Sequence, residues 1–109
     1  MGGAMKGDVV VIPFPFSDLT GSKRRPALVV ADWGGDDIML CQITSQSKRD
    51  GLELPLTEAD FDNGRLPIAS NIRPNKIFTA DKRIIRNVAG RISDAKYEEV
   101  AEQIFKLIA

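Results

Sequence analysis

Two adjacent guanidiniums, Arg24 and Arg25, stand at the mouth of a β-prone run, Ala27-Leu28-Val29-Val30-Ala31. Pro26 pushes the residue before it into extended φ/ψ, so Arg25 is set in strand-like geometry by its own neighbour. A permanently charged fork fixed on a strand end suits an anion such as phosphate. Lys23 precedes the pair, after a loop rich in turn formers, Ser17-Asp18 and Thr20-Gly21-Ser22, whose backbone can approach an anion. Further on, the apolar stretch Ile38–Ile43 gives way to Thr44-Ser45-Gln46-Ser47, a line of hydroxyls and an amide. The chain contains no histidine. Phosphodiester cleavage by a histidine pair is therefore closed, and phosphate chemistry here must draw on Arg, Lys, Thr, Ser, Tyr and carboxylates.

The elements that must hold these groups read mostly as strands. Gly7-Asp8 opens Val9–Ile12, a continuous β-branched run. Pro13 and Pro15 end its ladder, because proline donates no N–H. A loop over Phe14–Arg25 leads to a strand over Ala27–Asp32, and Gly34-Gly35-Asp36 turns the chain into Ile38–Thr44 as a hairpin. Ser45–Gly51 reads as a polar loop, Leu52–Leu56 as a short strand, Thr57–Phe61 as one helical turn and Asn63-Gly64 as a tight turn. Ile68–Ile72 and Ile77–Ala80 read as strands broken at Pro74, with a further short strand within Ile84–Ile92. Only the last segment has a helical period. Ser93 is its N-cap, Asp94 favours the positive end of the dipole, and Tyr97, Val100, Ala101, Ile104, Phe105 and Ile108 form one apolar stripe. The fold class expected is α+β, mainly β: a small, strongly bent sheet or barrel with one terminal helix packed on it.

At 109 residues the chain is one domain, expected over residues 5–109, with Met1–Ala4 reading as an added leader before Met5. Fifteen basic and fifteen acidic residues cancel, so bulk charge implies no nucleic-acid partner and any phosphate site must be a local cluster. Cys41 is the single cysteine, which excludes an intrachain disulfide, offers no zinc set and fits a reducing, cytoplasmic setting. No apolar stretch reaches the length of a membrane span, and no secretory pattern is present.

Lys6-Gly7-Asp8-Val9-Val10-Val11, a loop with Gly21, then Arg25-Pro26-Ala27-Leu28-Val29-Val30, then Ile43-Thr44-Ser45-Gln46 occur in an order and spacing that resembles the MazF/PemK-like toxins. The resemblance runs from Lys6 to the terminal helix. It implies an SH3-like barrel with a C-terminal helix, a symmetric homodimer, cleavage of single-stranded RNA (mRNA in particular) without metal or cofactor, and neutralisation by a cognate antitoxin. It also implies that the arginine before the proline and the threonine after the third strand, Arg25 and Thr44, are the catalytic pair. Asp18, Ser22, Lys23, Arg24, Ser45 and Gln46 surround that pair in sequence as candidate substrate-binding residues. Many members carry a basic residue in the strand aligned with Ile77-Phe78-Thr79, where this chain has Phe78; Arg73 and Lys76 stand nearby instead and complete the candidate set.

Metal-free RNA cleavage uses the ribose 2′-OH as nucleophile, so the protein must accept that proton, protonate the departing 5′-oxygen and stabilise a dianionic phosphorane. Arg25 can fork around two non-bridging oxygens, and Thr44 can donate to the same oxygens or orient the phosphate. A neutral guanidinium base is costly, since its pKa exceeds about 12, so Asp18 or a relayed water is the easier base. Taken without the resemblance, Arg24-Arg25 reads as a solvated loop pair and Thr44 as an ordinary strand end. Phe14 and Phe16 stack on bases or plug the loop; Trp33 anchors an interface or is half-buried by its hairpin; Lys48-Arg49 reads as solvated charge. Two other functions fit the same architecture. One is a non-catalytic toxin that binds DNA gyrase, whose tryptophan-bearing C-terminal end this chain lacks. The other is an SH3-like binding module, which calls for an aromatic-lined groove that one Trp and one Tyr do not supply.

Overall fold

The computed structural model describes residues 3–14, 23–47 and 49–109. Among them run strands β1 (Asp8–Phe14), β2 (Lys23–Ala31), β3 (Asp37–Thr44), β4 (Leu54–Leu56), β5 (Phe61–Gly64), β6 (Ser70–Asp81) and β7 (Asn87–Ile92), followed by helix α1 (Asp94–Ile108). The strands pair antiparallel in the order β4-β6-β3-β2-β1-β7-β5. The order itself forces curvature. β4 and β5 occupy opposite edges, yet only the short turn around Glu58–Asp60 joins them. That link spans at most roughly 17 Å, whereas the edges of a flat sheet of this width lie roughly 29 Å apart. The sheet therefore curls into a half-barrel.

Strand alternation sorts the apolar residues onto two faces. One face gathers Val9, Leu28, Cys41, Ile43, Ile72 and Ile92 and is capped by Val100 of α1. The other gathers Val10, Ile12, Ala27, Val29, Ile38 and Leu40, covered by Phe78, Ala80, Ile84 and Ile85. Ser93 caps α1 by accepting the Lys96 N–H at 3.1 Å. The apolar stripe docks through Tyr97, Val100 and Ile104, while Phe105 and Ile108 are exposed, so the end of the predicted stripe does not face the core. Among the described residues no helix is long and apolar enough to cross a membrane.

Several boundaries differ from the sequence expectation. β2 begins at Lys23, so Arg24 and Arg25 lie within a strand rather than in the loop before it. β1 continues through Pro13, because at that point it pairs only with β2 and no second neighbour needs the missing N–H. β6 is continuous through Pro74. Its register against β3 slips between Cys41↔Ile77 and Ile43↔Ile72, leaving Arg73–Lys76 as a wide bulge in which a proline is tolerated. Asn63-Gly64 ends a strand; Gly64 has φ +72, and a Cβ there would meet Ala89 O at 2.2 Å.

Candidate functional site

The Arg-Pro strand and the Thr-ended strand are neighbours. Ala27 pairs with Gln42 and Leu28 with Cys41, so strand alternation puts Arg25 and Thr44, each two residues beyond the Ala27–Gln42 pair, on one face. Thr44 pairs in turn with Asn71 of β6. On the other side, Arg25 pairs with Ile12 of β1. Ile12, Arg25, Thr44 and Asn71 thus share one face of the sheet, the face that carries Ala27 and Leu40. The adjacency of β2 and β3 brings the two segments together.

Thr44 is 8% exposed. Its Oγ1 accepts the Gln46 N–H at 3.1 Å, so the hydroxyl proton is left to be donated elsewhere. Arg25 is half-buried and shares a small pocket with Ile12, Gln42 and Phe78. Water is partly excluded from such a position, which strengthens a charged hydrogen bond formed there.

At the same end of β2 the opposite face opens into a cavity of about 450 Å³. Pro26, Ile43, Leu66 and Ile68 give it apolar walls, and Lys23, Arg24, Arg25 and Ser45 lie around it. Arg25 borders both this cavity and the pocket beside Phe78. Lys23, Arg24, Ser45 and Gln46 are exposed at this end of the molecule.

Arg73 does not join that surface. It is 5% exposed, and its Nη1 meets Asp50 Oδ2 at 2.8 Å. Its carbonyl accepts the Cys41 thiol, at 2.8 Å. Arg73 therefore works as a strut between the β6 bulge and the segment after β3. In that segment Glu53 accepts from the Arg49 N–H at 2.9 Å and the Ser47 hydroxyl at 3.2 Å. The Leu52 N–H, and then Arg73, hold the Asp50 carboxyl below the usual carboxylate range. Burial pushes the Cys41 thiol up to about 12. Lys76 is exposed on the bulge. Asp18, Ser22, Phe16 and Lys48 lie outside the described residues, as does the side chain of Phe14. Trp33 is 57% exposed, so its hairpin does not bury it.

Gly7-Asp8 proves to be architecture. Asp8 accepts from the Met5 N–H at 2.9 Å and from Arg91 Nη1 at 3.0 Å, tying the start of β1 to β7. The sequence reading passed over Gln42 and Asn71. Only strand register reveals that their side chains share the face of Arg25 and Thr44.

Residues 5–108 match the family model described as PemK-like, MazF-like toxin of type II toxin-antitoxin system. No curated protein matches the chain by sequence. Among solved structures, the chain resembles MazF of a MazE-MazF complex from Deinococcus radiodurans, with TM-score 0.79, 20% identity, and 98% of this chain and 97% of that one covered. It also resembles an endoribonuclease from Mycobacterial species, with TM-score 0.74, 15% identity, and 99% and 93% covered. A third is an endoribonuclease in complex with its cognate antitoxin, again from Mycobacterial species, with TM-score 0.72, 16% identity, and 99% and 95% covered.

Proposed function

The chain belongs to the PemK-like, MazF-like toxins of type II toxin–antitoxin systems, and from that premise we propose that it is a metal-independent endoribonuclease acting on single-stranded RNA in the cytoplasm. The observation that supports the reading is that Arg25 and Thr44 lie on one face of two neighbouring strands. The 2′-oxygen attacks the adjacent phosphorus as its proton passes to a base, either Asp18 or a relayed water. The phosphorane that forms carries two negative charges on its non-bridging oxygens. Arg25 forks around them from a position where water is partly excluded, and Thr44, its oxygen already held by the Gln46 N–H, donates its proton to the same oxygens. The P–O5′ bond then breaks and the departing oxygen is protonated. The products are a 2′,3′-cyclic phosphate and a 5′-hydroxyl. Lys23, Arg24, Ser45, Gln46 and Lys76 hold flanking phosphates and riboses.

The partners that follow are a second copy of the chain and a cognate antitoxin. The apolar cavity beside Lys23 and Arg24 suits an acidic and apolar antitoxin segment, whose side chain fills the walls while carboxylates meet the cations.

Incubation of the purified chain with a long RNA in excess EDTA tests this reading. Discrete cuts with cyclic-phosphate and 5′-hydroxyl ends are expected. Replacing the ribose 5′ of a cut site by deoxyribose should stop that cut. Activity restored only by magnesium, or cleavage of the deoxy-substituted strand, would overturn the mechanism.

A further inference from the structure

We infer that the cavity of about 450 Å³ at the end of β2 seats one unstacked base of the bound RNA and that Ser70, in its wall, reads the edge of that base. The inference rests on the function proposed above. Contacts to phosphate and ribose fix position without carrying sequence information. Unpaired RNA is read instead by splaying a base out of its stack into a pocket, where its faces meet flat or apolar walls and its edge meets a hydrogen-bonding group. The cavity has the room, within the roughly 300–1,000 Å³ of small-ligand sites. Pro26, Ile43, Leu66 and Ile68 supply apolar walls. Lys23 and Arg24 stand beside them, and Arg25 borders the same space. A phosphate held by these cations leaves its own base one sugar away from the opening.

Ser70 is the buried polar side chain of this lining. It opens β6 opposite Leu56 and is 7% exposed. Its hydroxyl donates to the Ile68 carbonyl at 2.8 Å. With that proton committed, the oxygen offers an occupant only its lone pairs. It therefore favours a base that presents an N–H at this point and disfavours one that presents a lone pair. The apolar wall does not select by size. Arg65–Ala69, which joins β5 to β6, carries no strand pairing, and Ile68 is 61% exposed. Leu66, Pro67 and Ile68 also line a second cavity, of about 600 Å³. A partition with space behind it lacks the close packing that resists a larger ring, so discrimination falls to the hydrogen bond. An antitoxin segment seated on the same walls would displace the base.

The test separates binding from cleavage. The full chain is equilibrated with a random single-stranded RNA pool carrying 2′-fluoro at every ribose, which has no nucleophile, and the retained strands are sequenced. A strand of the retained motif is then made with a single 4-thiouridine, moved position by position, and irradiated in the complex. One position should cross-link within Leu66–Ser70. At that position Ser70→Ala should lose preference by about fivefold, as expected for one hydrogen bond, and the other positions should keep theirs. Ser70→Thr retains the hydroxyl and should retain the whole motif. A chain that selects no motif, or a label that never reaches Leu66–Ser70, would overturn the inference and leave the cavity to a protein partner. So would an unchanged motif in Ser70→Ala, or equal loss in Ser70→Thr, which would make Ser70 a structural residue only. Cross-linking and a Ser70-dependent motif, in a chain that leaves unmodified RNA uncut, would uphold the base seat and remove the ribonuclease.

Discussion

At the scale of single residues, Arg25 is the sharpest test. In the proposed mechanism its charge serves the phosphorane, so Arg25→Ala should still fold and lose at least about a hundredfold in cleavage rate. Arg25→Lys should recover little, because an ammonium cannot fork. Normal cutting by Arg25→Ala, with loss in Arg24→Ala, would move the site to the other face of β2. Cys41 gives a second reading. Its thiol lies wholly in the core and is pushed up to about 12, so it should resist alkylation at pH 8 in the native state and react only when the chain unfolds. Arg25 and Thr44 were singled out in the sequence by the family resemblance, and the strands put the two on one face. The role of Arg73 was not legible there. Its guanidinium looks as available as any other in sequence, and only the Asp50 carboxylate brought to it by the chain after β3 shows that it is spoken for. Gln42 and Asn71 were illegible for a related reason: a face is defined by register, and register is a property of two strands.

Elements carry a different kind of evidence. The existence of α1 and of the strands other than β5, which was read as turns, followed from a 3.6-residue period and β-branched runs, whereas their ends did not. Pro74 misled because proline argues against a central strand, and a bulge is the exception that only the slipped pairing with β3 discloses. That bulge rests on Arg73 and Asp50, and the two partners are not equivalent. Asp50→Ala leaves a buried guanidinium without its carboxylate, while Arg73→Met replaces the charge with apolar volume and lets Asp50 turn to water. The first substitution should destabilise the chain more than the second in urea unfolding. The same carboxylate sets an acid limit. Asp50 is held below the ordinary carboxylate range by the Leu52 N–H and Arg73, so its contribution is complete above about pH 4 and is lost as pH falls through the lowered value. Asp81, drawn down to about 2 by bonds from Arg83, should keep its contribution further into acid. Carboxyl carbon shifts followed by NMR should place the Asp50 midpoint below 3.8 and that of Asp81 near 2. A free Asp50 midpoint would mean the strut is absent in solution. Gly64 closes the β5–β7 pairing with φ +72 and no room for a Cβ beside Ala89 O and Gly90 Cα. Gly64→Ala should therefore cost about 2–4 kcal/mol in urea unfolding.

For the molecule as a whole, the balance of charge constrains how the proposed RNA substrate would be held. Fifteen cations offset fifteen anions, so no long-range field draws a polyanion in, and binding must come from the few cations gathered at one end. If the chain is the proposed dimer, light scattering should give about twice the 12.0 kDa chain mass, and each copy should keep its own such end. The cations assigned to phosphate are Lys23, Arg24, Arg25 and Lys76. Each phosphate neutralised on a single strand releases about 0.7 counterion, so four contacts predict a slope of about −3 in log K against log salt. A single-stranded RNA carrying 2′-fluoro at every ribose, which has no nucleophile, measures this without cleavage. Arg24→Ala should flatten the slope by about 0.7 and weaken binding evenly across sequences, as expected of a phosphate contact. A slope steeper than about −5 would require further cations, and Arg49, Lys82, Arg83 and Arg86 would have to be brought into the path. A slope near zero would detach binding from phosphate altogether, and with it the premise that the paired guanidiniums of β2 exist to hold a nucleic acid backbone.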